Sequence, residues 1–97
     1  PSWAQSNWQS YVVRVESASR QHAVMQRLLD NGIATRRGVM NSHREAAYPH
    51  GSWTMAPGGL SRSEQAQDTG IVLPLYHQLT ESEQDRVIAV LIDAVSA

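Results

Sequence analysis

The sequence predicts an α+β fold: a small, mainly antiparallel sheet of about three strands, covered by two main helices over residues 19–31 and 81–95. Segments in which every second residue is apolar are separated by segments whose apolar residues recur at helical spacing. Glycine and proline punctuate the boundaries between them. Apolar residues make up 41% of the 97 positions, enough for one core, so a single domain over residues 1–97 is expected, with residues 1–9 as a lead-in.

Residues 10–16 read as the first strand, with Tyr11, Val13 and Val15 on one face and Val12, Arg14 and Glu16 on the other. Ser17 or Ser19 caps the first main helix, in which Val24, Met25, Leu28 and Leu29 form an apolar stripe. Gly32 supplies the left-handed residue that ends it, and Ile33 packs back on the last turn. Residues 33–39 read as a second strand that pairs with the first, followed by two turns of helix over residues 41–47. Residues 48–60 hold Pro49, Gly51, Pro57, Gly58 and Gly59 around Trp53 and Met55, a loop long enough to be functional or mobile.

Ser61 with Glu64 three residues on has the spacing of a capping box opening a short helix, which Gly70 would end. Residues 71–76 are a third strand, with Ile71, Leu73 and Leu75 on one face and Pro74 suited to an edge position or a strand end. Thr80 and Glu83 form a second capping box, with Glu81, Glu83 and Asp85 where the helix dipole favours negative charge. Val87, Leu91 and Ala94 alternate with Ile88, Ile92 and Val95 to give that helix a broad apolar face.

The charge content bounds the function. Net charge is -1, and basic and aromatic residues are not interleaved on one face, which disfavours a nucleic-acid partner. All eight basic residues are arginine and lysine is absent. Arginine is a permanently charged fork for carboxylate or phosphate, whereas only lysine's amine forms a Schiff base, so this chain can clamp anions but cannot hold an aldehyde covalently. With no cysteine there is no disulfide or thiolate metal site, which suits a cytoplasmic protein. The apolar runs are too short to cross a bilayer and no signal-peptide pattern opens the chain, so no membrane partner is expected. His22, His50 and His77 lack metal-ligand spacing, and no metal site is expected. The chain begins at Pro1 rather than methionine, which suggests further sequence upstream, and Trp3 and Trp8 among polar neighbours suit a partner surface.

Three segments, NWQSYVVRV at residues 7–15, MQRLLDNGIATRRGVMNSHREAAY at 25–48 and GIVLPLYHQLTESEQDRVI at 70–88, carry a resemblance. Together they are similar to the C-terminal part of DegT/DnrJ/StrS-type nucleotide-sugar aminotransferases, in which GI-x-T, then a histidine and a tyrosine, then LPL and T-x-x-E recur in this order. The resemblance implies the small domain of a fold-type-I enzyme, working in a homodimer that aminates a nucleotide-linked keto-sugar for amino-sugar, glycan or polysaccharide biosynthesis. Glutamate is the implied donor and pyridoxal phosphate the implied cofactor. The cofactor's lysine, the aspartate on its ring nitrogen and most phosphate contacts are implied to lie in an N-terminal large domain, with none bound covalently here. Many members carry a histidine shortly before the position matched by His43, where this chain has Gly38.

The resemblance sets His43 and Tyr48 near the substrate cleft, where His43 would hydrogen-bond a sugar hydroxyl or the cofactor phosphate. Arg36 and Arg37 are candidates for the sugar diphosphate or the donor carboxylate; neighbours on a strand face opposite ways, so at most one reaches a given site. A solvated face with an internal ion pair is their alternative. Trp53 either stacks on the sugar or, with Met55, anchors the loop to the core. Glu16, Glu45 and Asp68 read as solvated surface, and no catalytic residue is expected in the chain. The alternative from another class is a freestanding, non-catalytic binding module derived from such a domain.

Overall fold

Strands β1 (Tyr11–Arg14) and β3 (Gly70–Leu73) lie side by side and antiparallel, Val13 opposite Ile71 and Tyr11 opposite Leu73. The computed structural model describes residues 1–97. Its remaining elements are α1 (Ala18–Asp30), β2 (Arg36–Arg37), a 3₁₀ turn at Ser42–Arg44, α2 (Ser61–Thr69) and α3 (Glu81–Ser96). The result is α+β, a three-stranded antiparallel sheet in the order β1-β3-β2 with helices packed on it.

The strand order corrects the expectation that the second strand pairs with the first. β2 pairs with β3 instead, Arg36 opposite Val72 and Arg37 opposite Ile71. β3 buries Gly70, Ile71 and Leu73, so it takes the centre, where both of its edges are paired and no backbone group is left dry. A strand of two arginines suits an edge. Pro74 follows directly on the last residue of β3, the strand-end alternative, and Leu75 lies outside the sheet and is exposed. The second strand is also shorter than residues 33–39. Ile33 is spent on the end of α1, and beyond Gly38 the chain turns toward α2.

Helix α1 shows why these residues are helical. Ser17 caps it, its Oγ accepting the Arg20 N–H at 3.2 Å. At the other end Gly32 sits at φ 75°, its N–H donates to Leu29 O at 2.8 Å and the Ile33 N–H donates to Leu28 O at 2.9 Å. This is the Schellman arrangement, and the accompanying apolar contact is made by Leu28 and Ile33, both in the core. Val24, Leu28, Ile33, Ile71, Leu73, Val87 and Ala94 form that core, with Val13, Val15, Met25, Val90 and Leu91 packed around it. A fully buried leucine such as Leu28 stabilises the fold by about 1.5–3 kcal/mol.

Several apolar residues predicted inside lie outside. Leu29 on α1 and Ile88, Ile92 and Val95 on α3 are exposed, because each helix turns inward the stripe of Val24 and Leu28, or of Val87 and Ala94, with Met25, Val90 and Leu91 at its margins. Tyr11 is about half exposed and stacks on Trp8, ring centroids 5.9 Å apart. The two helical turns expected over residues 41–47 reduce to the single 3₁₀ turn, since Glu45 is already extended at ψ 143°. Thr80 and Glu83 do form a complete capping box at the start of α3. At α2 the corresponding pair does not: Leu60 occupies the cap position without a side-chain bond, Ser61 is already helical, and Glu64 turns elsewhere. No helix is long and apolar enough to cross a membrane.

Candidate functional site

Beyond β2 the chain leaves the sheet at Gly38, whose N–H donates to Gly70 O at 2.9 Å. A Cβ at Gly38 would lie 3.0 Å from Val12 Cγ1 and 3.2 Å from Gly70 Cα, so any side chain there would have to displace its neighbours. Next comes Asn41, buried, whose Nδ2 donates to Gln67 Oε1 at 2.7 Å and to Ser63 O at 3.1 Å while its Oδ1 accepts the Ser63 hydroxyl. Each of these partners is on α2, so Asn41 fixes the 3₁₀ turn against that helix.

The turn then presents His43 and Arg44 to two carboxylates one helical turn apart on α2. His43 Nε2 lies 2.7 Å from Glu64 Oε1. Arg44 makes a two-pronged contact with Asp68, Nη1 to Oδ1 at 2.7 Å and Nη2 to Oδ2 at 3.2 Å, and its Nη2 stands 3.8 Å from Glu64 Oε2. The Arg44 hydrogen bond, reinforced by its charge, holds the Asp68 carboxyl below the usual carboxylate range, and the same bond raises the Arg44 guanidinium. Asp68, expected as plain solvated surface, is thus half of an ion pair.

The loop over residues 48–60 folds back on this cluster. Trp53 donates its indole N–H to Tyr48 O at 3.0 Å and sets its ring edge-on to His43, centroids 5.3 Å apart and planes at 71°. His50 lies on Trp53 as well, at 5.6 Å. His43, Tyr48 and Trp53, with Met40 and Leu60, line a surface depression of about 490 Å³. Its lining mixes apolar and aromatic side chains with the polar Asn41, Ser42, Thr54 and Ser63.

Arg36 and Arg37 do not join it. They face opposite ways on β2, as alternation requires. Arg37 Nη2 lies 3.1 Å from His22 Nε2 on α1. Arg36 makes no side-chain hydrogen bond and lines a different depression of about 350 Å³ with Gln9, Thr35 and Tyr76. Residue-by-residue reading missed Asn41, Arg44 and Glu64. A signal existed: acids at positions 64 and 68 lie on one helical face, matched by the adjacent basic pair at 43 and 44.

The arrangement of three antiparallel strands, covering helices and a folded-back aromatic loop is that of an aminotransferase segment. A DegT DnrJ EryC1 StrS aminotransferase from Brucella abortus superposes with a TM-score of 0.82 at 28% identity, over 100% of this chain and 25% of that one. The aminotransferase TlmJ from Streptoalloteichus hindustanus gives 0.82 at 29% identity, over 99% and 24%. A third structure, provisionally named the sugar aminotransferase Spr1654, from Streptococcus pneumoniae, shares the fold with a TM-score of 0.73 at 23% identity, over 90% and 22%. The chain belongs to the DegT/DnrJ/EryC1/StrS aminotransferase family, whose model matches residues 1–92. It spans about a quarter of the length of the first two structures. No curated protein matches the sequence.

Aminotransferases of this family generally use pyridoxal phosphate. The residues present do not fit covalent attachment of that aldehyde, because none of the 97 side chains is a lysine amine.

Proposed function

We propose that this chain is the C-terminal small domain of a pyridoxal-phosphate-dependent aminotransferase, and that its His43–Tyr48–Trp53 depression forms the sugar-facing wall of the substrate cleft. The substrate on this reading is a nucleotide-linked keto-sugar with glutamate as amino donor, handled by a cytoplasmic homodimer whose large domain carries the lysine. The observation that supports it is the convergence of a histidine, a tyrosine and a tryptophan on one depression in a lysine-free member of an aminotransferase family. Trp53 and Tyr48 offer aromatic surface to a pyranose ring, and His43 offers a ring nitrogen to a hydroxyl. The chain's part is orientation and exclusion of water, which lowers the barrier without taking part in bond making. Arg36, with no partner in the chain, is the better placed of the two arginines for a phosphate or carboxylate.

The test uses a polypeptide that carries this chain together with a large domain, assayed for glutamate-dependent amination of nucleotide-linked keto-sugars. His43→Ala is expected to raise KM for the sugar roughly 5- to 10-fold, the equivalent of about 1–1.4 kcal/mol for one lost hydrogen bond, with KM for glutamate unchanged. An unchanged sugar KM, or an equal rise for both substrates, would remove the depression from the sugar site.

A further inference from the structure

His43 has two ring nitrogens, and the structure treats them differently. Nε2 is engaged by the Glu64 carboxylate at 2.7 Å, whereas Nδ1 has no hydrogen-bond partner in the chain. The His43 side chain is only 10% exposed, yet no buried side-chain nitrogen or oxygen is left without a partner, so Nδ1 reaches the surface. A carboxylate accepts hydrogen bonds and cannot donate one, which requires the proton of the neutral imidazole to sit on Nε2. Nδ1 is then a lone-pair acceptor. Trp53 packs edge-on against the ring, and Glu64 is itself flanked by Arg44, with Nη2 3.8 Å from Oε2.

We propose that Glu64 is a positioning residue that fixes His43 as the Nε2–H tautomer, so that Nδ1 accepts a hydrogen bond from a ligand donor, a sugar hydroxyl, at the depression lined by His43, Tyr48 and Trp53. This rests on the reading of that depression as a sugar site and adds to it a polarity: the ligand group that meets His43 must donate. Against the neutral ring, an ether oxygen, a keto oxygen or a phosphate would meet Nδ1 lone pair to lone pair. The role differs from a structural one, because a carboxylate whose only task is to tie α2 to the 3₁₀ turn has no requirement about which imidazole nitrogen carries the proton.

The experiment is long-range ¹H–¹⁵N NMR of the imidazoles in the ¹⁵N-labelled 97-residue chain, at about pH 8.5, above the ordinary histidine pKa of about 6.5. His43 is expected to show a pyrrole-type Nε2 and a pyridine-type Nδ1. Glu64→Gln, whose amide oxygen still accepts from Nε2–H, is expected to keep that pattern, and Glu64→Ala to shift both resonances toward the averaged position of exchanging tautomers. The backbone spectrum of Glu64→Gln reports that the fold is intact. A wild-type His43 that is protonated on Nδ1, or that averages both tautomers with Glu64 present, overturns the inference. An unchanged His43 pattern in a folded Glu64→Ala variant does so too. These outcomes concern the tautomer alone, and are distinct from failure of the sugar reading, which would appear as unchanged sugar KM in the His43→Ala enzyme.

Discussion

Gln21 is 1% exposed on α1, and its Nε2 donates both hydrogens into the junction where α2 runs without a loop into β3, to Gln67 O at 2.7 Å and Gly70 O at 2.8 Å. Gly70 O keeps a second partner in the Gly38 N–H, but Gln67 O lies in the last turn of α2, out of reach of an intrahelical donor. In Gln21→Met, a side chain of similar shape and no donor, the Gln67 carbonyl becomes a buried orphan at about 1–3 kcal/mol, and the bond to Gly70 O forfeits about 0.5–1.5 kcal/mol more. Some apolar gain offsets this, leaving an expected loss of about 1–4 kcal/mol. That is a large part of the total for a chain of this size, about 5–15 kcal/mol.

Urea unfolding followed by far-UV circular dichroism measures the loss directly, provided the slope is unchanged. Gln21→Glu adds a check on the sign. A carboxylate facing two carbonyl oxygens has its folded pKa raised above the unfolded value of about 4.3, so its stability is full below that value and lost as pH rises through the folded pKa. This variant should therefore be more stable at about pH 4 than at pH 7. If Gln21→Met lies within about 0.5 kcal/mol of the parent at equal slope, the orphan-carbonyl reasoning fails.

Two further outcomes are expected. Gly70→Ala would place a Cβ 2.6 Å from Ala66 O and 3.3 Å from Gly38 Cα, both backbone, and should cost about 1–3 kcal/mol in a urea titration; Gly38→Ala, whose nearest contact is the Val12 side chain at 3.0 Å, should cost less, and the reverse order would contradict the packing. On the acid side, the Thr80 backbone N–H, with its hydroxyl, holds Glu83 below its usual 4.5, and Arg44 holds Asp68 below 3.8. Both folded values are lowered, so their contributions are present above those unfolded values and lost as pH falls through the folded ones. Glu83→Gln should flatten the fall in urea midpoint below about pH 4.5, and a profile that superposes on the parent's would rule the linkage out.

What was legible in the sequence follows the range of the interactions involved. Gly32 ends α1 and Thr80 opens α3 as their spacing predicts, because every bond in a Schellman turn or a capping box is made within about five residues. The strand order was not legible, since alternation in residues 10–16 says which face is apolar but not which partner lies alongside. For the site, the opposition of Arg36 and Arg37 follows from strand period alone, while Arg37's partner His22 and the grouping of His43, Tyr48 and Trp53 depend on where a loop folds back.

The two S/T-x-x-E motifs make the distinction concrete. Thr80 and Glu83 have only hydroxyl neighbours besides each other, Ser82 and Tyr76, and no ion pair draws Glu83 away, so they cap. Ser61 and Glu64 have the same spacing, but Glu64 lies across from His43, 21 residues earlier, and from Arg44. An imidazole N–H at 2.7 Å, with a guanidinium beside it, outcompetes an exposed backbone N–H at the helix start for the carboxylate. Leu60 then fills the cap position with nothing to offer. The uncapped start of α2 and the fixed ring of His43 are consequences of one choice of partner by Glu64, and a helix start that lacks its expected cap is the local trace of that longer-range demand.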